Sequence, residues 1–177
     1  MSKIKNVLFA IALMIIGVCS LASCSESYDF YEDFLTAGAD IDKDHNFVAI
    51  SVDEAKNKID NGDDFVLFLG TSSEEKQVTS VTILQTEFDY YDYDGKVYFI
   101  DTTDILEKGR TKIEELTSKL GIREINTGSG LDAIEYRDGK QIFDSSKSDG
   151  DEIFYLDGKL NYAALAQYIV WNYPVTE

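Results

Sequence analysis

The stretch FVLFLGTSSEEKQ, residues 65–77, decides the predicted fold because an apolar run passes through a glycine into hydroxyl and acidic residues. The run FVLFLG is typical of a strand that is covered on both faces. The following TSSEE is typical of a helix start, where Ser72 or Ser73 caps free N–H groups and Glu74 and Glu75 favour the helix dipole. We therefore predict a buried strand that leads into a helix N-terminus, a common place for chemistry in α/β proteins.

The segments on the N-terminal side of this junction continue the same alternation. Residues 46–51 form a short apolar stretch that predicts a strand. Ser51 and Glu54 have the spacing of a capping box, and the helix that they open ends at Asn61-Gly62. On the C-terminal side, residues from Ser73 to about Phe88 predict a long helix. Its apolar positions keep a spacing of three to four, at Val78, Val81, Leu84 and Phe88.

The remaining segments complete an α/β order. Residues 96–103 predict a second covered strand, and residues 104–122 a helix that ends at Gly121. Residues 131–143 alternate about an Asp138-Gly139 turn, which indicates a hairpin, and residues 160–173 predict a last helix. The order β-α-β-α-β-α-β-β-α predicts a three-layer fold with a mixed central sheet.

The N-terminal residues have the pattern of a secretory signal. A basic start with Lys3 and Lys5 precedes an apolar run at 7–18 and then small residues. The run is shorter than the roughly 20 residues that a membrane span needs. The end of the segment, LASC at 21–24, resembles the bacterial lipobox, which implies cleavage before Cys24 and attachment of lipid to its sulfur. An ordinary cleavage site near Cys24 and an uncleaved anchor are the alternatives.

These features predict that the chain is organised in three parts. We expect a signal peptide at 1–23, a lipidated N-terminus with an acidic tether at 24–45, and a folded domain at 46–177. A short helix is expected near residues 28–36 within the tether. The lipid on Cys24 would hold the chain on the outer side of the bacterial cell membrane.

The cysteine content and the net charge each exclude a class of function. The two cysteines are Cys19 and Cys24, so a processed chain keeps one sulfur, which carries lipid and is lost to thiol chemistry. Cleavage of the signal peptide would remove Lys3 and Lys5. The remaining 14 basic and 33 acidic residues would give a net charge of −19. Such a surface repels nucleic acid, so we predict no nucleic-acid partner.

Three segments carry a resemblance to a known family. GIREINT at 121–127 resembles the thioredoxin segment Gly-Ile-Arg-Gly-Ile-Pro-Thr, and YRDGK at 136–140 resembles the turn between that family's last two strands. Residues 51–70 are similar to the same region of bacteriocin transport accessory proteins. The resemblance covers about residues 46–173 and implies a thioredoxin-like three-layer sandwich.

The chain departs from that family at its active site. The family's Cys-x-x-Cys pair falls on Ser72 and Glu75, or one residue later, and its cis-proline falls on Asn126. Neither of the first two can form a disulfide. About five added residues, GSGLD, follow Thr127. The degenerate active-site region therefore comprises Ser72, Ser73, Glu74, Glu75, Asn126 and Thr127.

Two other chemistries have weaker support in the sequence. Catalysis by Ser72 or Ser73 would need a base, but the one histidine, His45, lies in the predicted tether. Residues 40–46 resemble the start of a calcium-binding EF-hand loop. However, His45 stands where that loop has glycine, and Ser51 where it has a bidentate glutamate. The weak metal candidates are Asp40, Asp42 and Asp44; an acidic solvated linker is the preferred interpretation.

These observations predict a lipid-anchored extracytoplasmic domain without redox activity that binds a protein or peptide. It is expected to be neither an enzyme nor dependent on a cofactor. Two alternatives stay open: a thiol-disulfide or bacteriocin-export accessory factor, and an acidic calcium-responsive module.

Overall fold

The computed structural model describes residues 28–125, 130–145, 154–156 and 159–173, and it has an α/β architecture. The helices are α1 (Phe30–Thr36), α2 (Val52–Asn61), α3 (Glu75–Tyr90), α4 (Thr103–Glu107), α5 (Arg110–Leu120) and α6 (Tyr162–Asn172). The strands are β1 (Phe47–Ala49), β2 (Phe65–Gly70), β3 (Val97–Asp101), β4 (Asp132–Arg137), β5 (Lys140–Asp144), β6 (Tyr155–Leu156) and β7 (Lys159–Leu160).

Five of the strands form one mixed sheet with the order β1-β3-β2-β4-β5. Strands β1, β3 and β2 are parallel, and Gly70 of β2 lies beside Asp101 of β3. Strand β4 is antiparallel to both β2 and β5. The carboxyl ends of β2 and β3 therefore meet at one edge of the sheet, next to the start of β4.

The alternating side chains of β2 divide the core between the two faces of the sheet. Val66 and Phe68 pack with α1, α3 and α6, whereas Phe65, Leu67 and Leu69 pack with α2 and α5. All six residues of β2 are buried, as the continuous apolar run predicts. Helices on both faces of a mixed sheet confirm the predicted α/β class.

Several local signals in the sequence act as predicted. Ser51 and Glu54 form the reciprocal capping box of α2, which ends at Gly62 with φ 79°. The β4–β5 hairpin turns at Asp138 and Gly139, whose φ values of 49° and 69° fit a two-residue turn with both residues left-handed. These signals are local, so each can be recognised from neighbouring residues in the sequence.

Two elements differ from the prediction. The single helix expected over 104–122 is two helices, α4 and α5, which are separated at Gly109 with φ 81°. A residue with positive φ cannot continue a right-handed helix, and glycine adopts positive φ without steric cost. The small β6–β7 hairpin was not predicted, because strands of two residues are too short to show alternation.

The described part of the predicted tether packs against the sheet. Phe34 is fully buried and Phe30 is 4% exposed. The Phe30 ring lies 4.7 Å from that of Phe47, and the Phe34 ring lies 5.4 Å from that of Phe99. The expected short helix is present as α1, and spacing of four residues places both its phenylalanines on the face that contacts the sheet.

Candidate functional site

The junction between β2 and α3 lies at the carboxyl edge of the parallel strands. Thr71 follows β2 directly, and Thr102 and Thr103 follow β3. The Thr102 N–H donates to the Gly70 carbonyl at 2.8 Å, and the Thr102 hydroxyl donates to it at 3.0 Å. Two neighbouring strands thus bring small hydroxyl side chains to one place, a position where open α/β sheets bind ligands.

Three hydroxyl groups at this junction form a directed chain that ends at a carboxylate. The Thr103 hydroxyl donates to Asp101 Oδ1 at 2.7 Å, so its oxygen accepts from Thr71 at 2.6 Å. The Thr71 oxygen in turn accepts from the Ser73 hydroxyl at 2.6 Å, and from the Ser73 N–H at 3.2 Å. Every proton in the chain points towards Asp101. The exposed Ser73 oxygen therefore keeps its lone pairs available to accept hydrogen bonds from a ligand.

Close packing fixes the backbone beneath the hydroxyl chain. The Thr71 N–H donates to the side-chain oxygen of the buried Gln77 at 2.6 Å. A Cβ atom on Gly70 would lie 2.3 Å from Leu131 Cδ2 and 2.8 Å from the same Gln77 oxygen. A larger residue at position 70 would therefore displace the ends of the Leu131 and Gln77 side chains, and Gln77 is the one that bonds to Thr71.

The predicted N-cap at Ser72 or Ser73 is wrong. Helix α3 begins at Glu75 with Glu74 as its N-cap, and the Glu74 side chain makes no capping hydrogen bond. The Ser73 hydroxyl bonds instead to Thr71, whose own hydroxyl also bonds to the distant Thr103. Ser72 is half-buried, and both glutamates are exposed beside the junction.

Acidic residues of the N-terminal segment approach the same edge of the sheet. Burial raises the pKa of the Tyr28 hydroxyl, and the negative charges of Asp101, Asp33 and Asp29 raise this pKa further. The pKa of Asp33 is also raised, first by partial burial and then by Asp101. The Tyr28 ring stacks on Phe99 with centroids 6.0 Å apart. The surroundings of the hydroxyl chain are therefore acidic.

His45 is placed far from these hydroxyls. It precedes β1 and its carbonyl accepts from Lys96 at the start of β3, which puts it at the amino edge of the parallel strands. Its Nδ1 accepts from the Phe47 N–H at 3.2 Å, and burial, followed by the charge of Lys96, lowers the pKa of its imidazole. The chain's one histidine therefore lies at the edge of the sheet opposite Ser72 and Ser73 and gives them no base.

The other predicted site residues fall outside the junction or outside the described chain. Cys24, Asn126 and Thr127 lie outside the described residues. Asp40, Asp42 and Asp44 are exposed. Within the described ranges, no group of three or more His, Cys, Asp or Glu residues is arranged to hold a metal ion.

A buried ionic cluster that the sequence analysis missed lies on β4 beneath α6. The Glu135 carboxylate is almost fully buried and accepts from Arg137 Nε at 2.7 Å. The hydroxyls of Tyr168 and Tyr173 also donate to it, at 3.0 Å and 2.8 Å. The spacing of two on a predicted strand could have indicated that Glu135 and Arg137 share a face, but nothing local indicates the two tyrosines.

Comparisons with known proteins add no family to these observations. No protein-family model matches the chain, and no curated protein matches it significantly. In the part of the chain that the structure describes, no helix combines the length and apolar character needed to cross a lipid bilayer.

The hydroxyl chain makes a prediction about stability. Thr71→Val should lower the free energy of unfolding by about 1–2 kcal/mol, because the buried hydroxyl joins Ser73 and Thr103 and valine can replace neither bond. Ser72→Ala is the matched control, and it should change stability by less than about 0.5 kcal/mol. Urea denaturation of both variants measures the difference. An equal effect of the two would show that the hydroxyl chain is not structurally important.

Proposed function

We propose that this chain is a thioredoxin-like domain without redox activity, held outside the cytoplasm by lipid on Cys24, that binds a protein or peptide. The strand order β1-β3-β2-β4-β5 with an antiparallel final pair supports the thioredoxin-like part of the proposal. The absence of cysteine after Cys24 in the sequence supports the absence of redox activity. The lipobox-like LASC supports the anchor.

The observation that carries the proposed binding role is the directed hydroxyl chain. It occupies the junction where the resemblance implies a thiol pair, and it leaves the exposed Ser73 oxygen able to accept a hydrogen bond. Glu74 and Glu75 add exposed carboxylates next to it. Such a surface favours ligands that bring N–H donors, including the backbone amides and basic side chains of a peptide.

Site-specific photo-crosslinking in cells tests the binding site. A benzophenone side chain introduced at Ser72 of the full chain should give a discrete crosslinked product. The same group at Lys140, an exposed residue of β5 at the opposite edge of the sheet, is the control and should give no such product. Equal crosslinking at both positions would reject the junction as the contact site.

Two further measurements separate the parts of the proposal. The wild-type chain should be found in the membrane fraction, and Cys24→Ser should release it, because the proposed lipid is attached through that sulfur.

The purified wild-type chain should not reduce the disulfides of insulin. Insulin reduction would favour the thiol-disulfide or export accessory alternative, and saturable calcium binding below millimolar concentration would favour the calcium-responsive one.

A further inference from the structure

A small aromatic cavity opens on the outer side of α6, away from the hydroxyl chain. Its volume is about 200 Å³, and the described residues that line it are Phe154, Ala164, Gln167, Tyr168 and Trp171. Three of these five side chains are aromatic, and the alanine leaves open space between them. The cavity is large enough for a small organic group.

The three rings differ in how firmly they are held. Phe154 is 4% exposed and meets Tyr168 edge to face, with centroids 5.0 Å apart and an interplanar angle of 73°. Trp171 follows Tyr168 by three residues, so both side chains lie on one face of α6, yet its side chain is 66% exposed. Two fixed rings and one solvent-facing ring thus surround the opening.

The polar side chains among the described lining residues already have hydrogen-bond partners within the protein. The Tyr168 hydroxyl bonds to the Glu135 carboxylate at 3.0 Å and accepts from Arg137 at 2.9 Å. The Gln167 amide donates to the Tyr91 hydroxyl at 2.7 Å. The lining residues named above include no ionised side chain, and the rings of Tyr168 and Trp171 are the ones that a ligand can reach.

The charge of the whole molecule selects the kind of ligand. The chain carries a net charge of −17, which raises the local concentration of cations near its surface. Aromatic faces attract cations through the ring quadrupole, and this attraction is strongest for tryptophan. A primary ammonium also needs hydrogen-bond acceptors, whereas a quaternary ammonium needs none and suits a site built from rings.

We propose that the cavity formed by Phe154, Tyr168 and Trp171 binds a quaternary ammonium group such as that of choline. The site is separate from the junction between β2 and α3, so this proposal is independent of the proposed function. It rests on three aromatic side chains around one opening in a strongly acidic molecule.

The chain has one tryptophan, so Trp171 fluorescence reports directly on this cavity. The experiment titrates choline chloride into the full chain in a detergent that carries no ammonium group, with sodium chloride holding the ionic strength constant. Choline should change the fluorescence saturably. Its neutral isostere 3,3-dimethylbutan-1-ol, which has the same shape without the charge, should bind at least about fivefold more weakly.

Two variants measured by calorimetry complete the test. Trp171→Leu should weaken choline binding by about fivefold or more, and its exposure means that the fold is retained. Tyr90→Leu, at an aromatic residue that is 78% exposed outside the cavity, should leave the affinity unchanged. The proposal is overturned if choline binding shows no saturation at concentrations up to about 0.1 M, because cation–π binding by this site should be detectable there. It is equally overturned by equal binding of the neutral isostere or of butylammonium, or by unchanged affinity in Trp171→Leu.

Discussion

Phe34→Ala is expected to lower the free energy of unfolding by about 3–5 kcal/mol, one of the two largest effects that we predict. The side chain is fully buried, and its ring lies 4.5 Å from that of Phe30 and 5.4 Å from that of Phe99. Alanine would leave a cavity between α1 and the sheet that the closely packed rings cannot fill. Urea denaturation of residues 25–177 measures the change.

The neighbouring Leu35 supplies the matched control. It lies on the same helix but is 42% exposed, so Leu35→Ala should cost less than about 1 kcal/mol. The pair separates loss of core packing from loss of helix propensity, since both substitutions place alanine in α1. If the two variants unfold at the same urea concentration, α1 is a loosely attached tether after all, as the sequence suggests.

The contrast at α1 shows what the sequence can reveal about this fold. The run at residues 65–70 predicts a strand buried on both faces, and all six of its residues are buried. The spacing of the apolar residues in α3 predicts one buried face, and its four predicted positions are buried: Val78, Val81, Leu84 and Phe88. These signals repeat over many residues. Helix α1 has two phenylalanines among acids, which is too short a pattern to distinguish a docked helix from a linker.

The junction shows why the details of the site could not be predicted. A serine before a helix predicts an N-cap, yet the Ser73 hydroxyl bonds to Thr71, whose hydroxyl also contacts Thr103, the first residue of α4. Thr103 is 32 residues from Thr71, so no local pattern indicates their contact. Glu135 is similar, because its tyrosine partners lie 33 and 38 residues away. Polar contacts between distant segments depend on the completed fold.

The buried ionic cluster around Glu135 gives the second large effect on stability. Arg137→Met should lower the free energy of unfolding by about 2–4 kcal/mol, because it leaves the buried Glu135 carboxylate without its cationic partner. The Arg137 side chain is 38% exposed and the Glu135 side chain is 4% exposed, so solvent cannot replace the guanidinium at the carboxylate. Urea denaturation at neutral pH measures the loss.

A second salt bridge of equal length tests whether burial is the cause. Lys112 and Glu115 also meet at 2.7 Å, but their side chains are 51% and 45% exposed, so Lys112→Met should cost less than about 0.5 kcal/mol. Adding Glu135→Gln to Arg137→Met should recover more than half of the loss, because glutamine removes the buried charge and still accepts from Tyr168 and Tyr173. Equal losses in the two single variants would mean that burial of the salt bridge does not set its energetic cost. No recovery in the double variant would mean that Arg137 acts mainly through its contact with the Tyr173 ring, whose centroid is 5.6 Å from the guanidinium carbon, and not through the Glu135 charge.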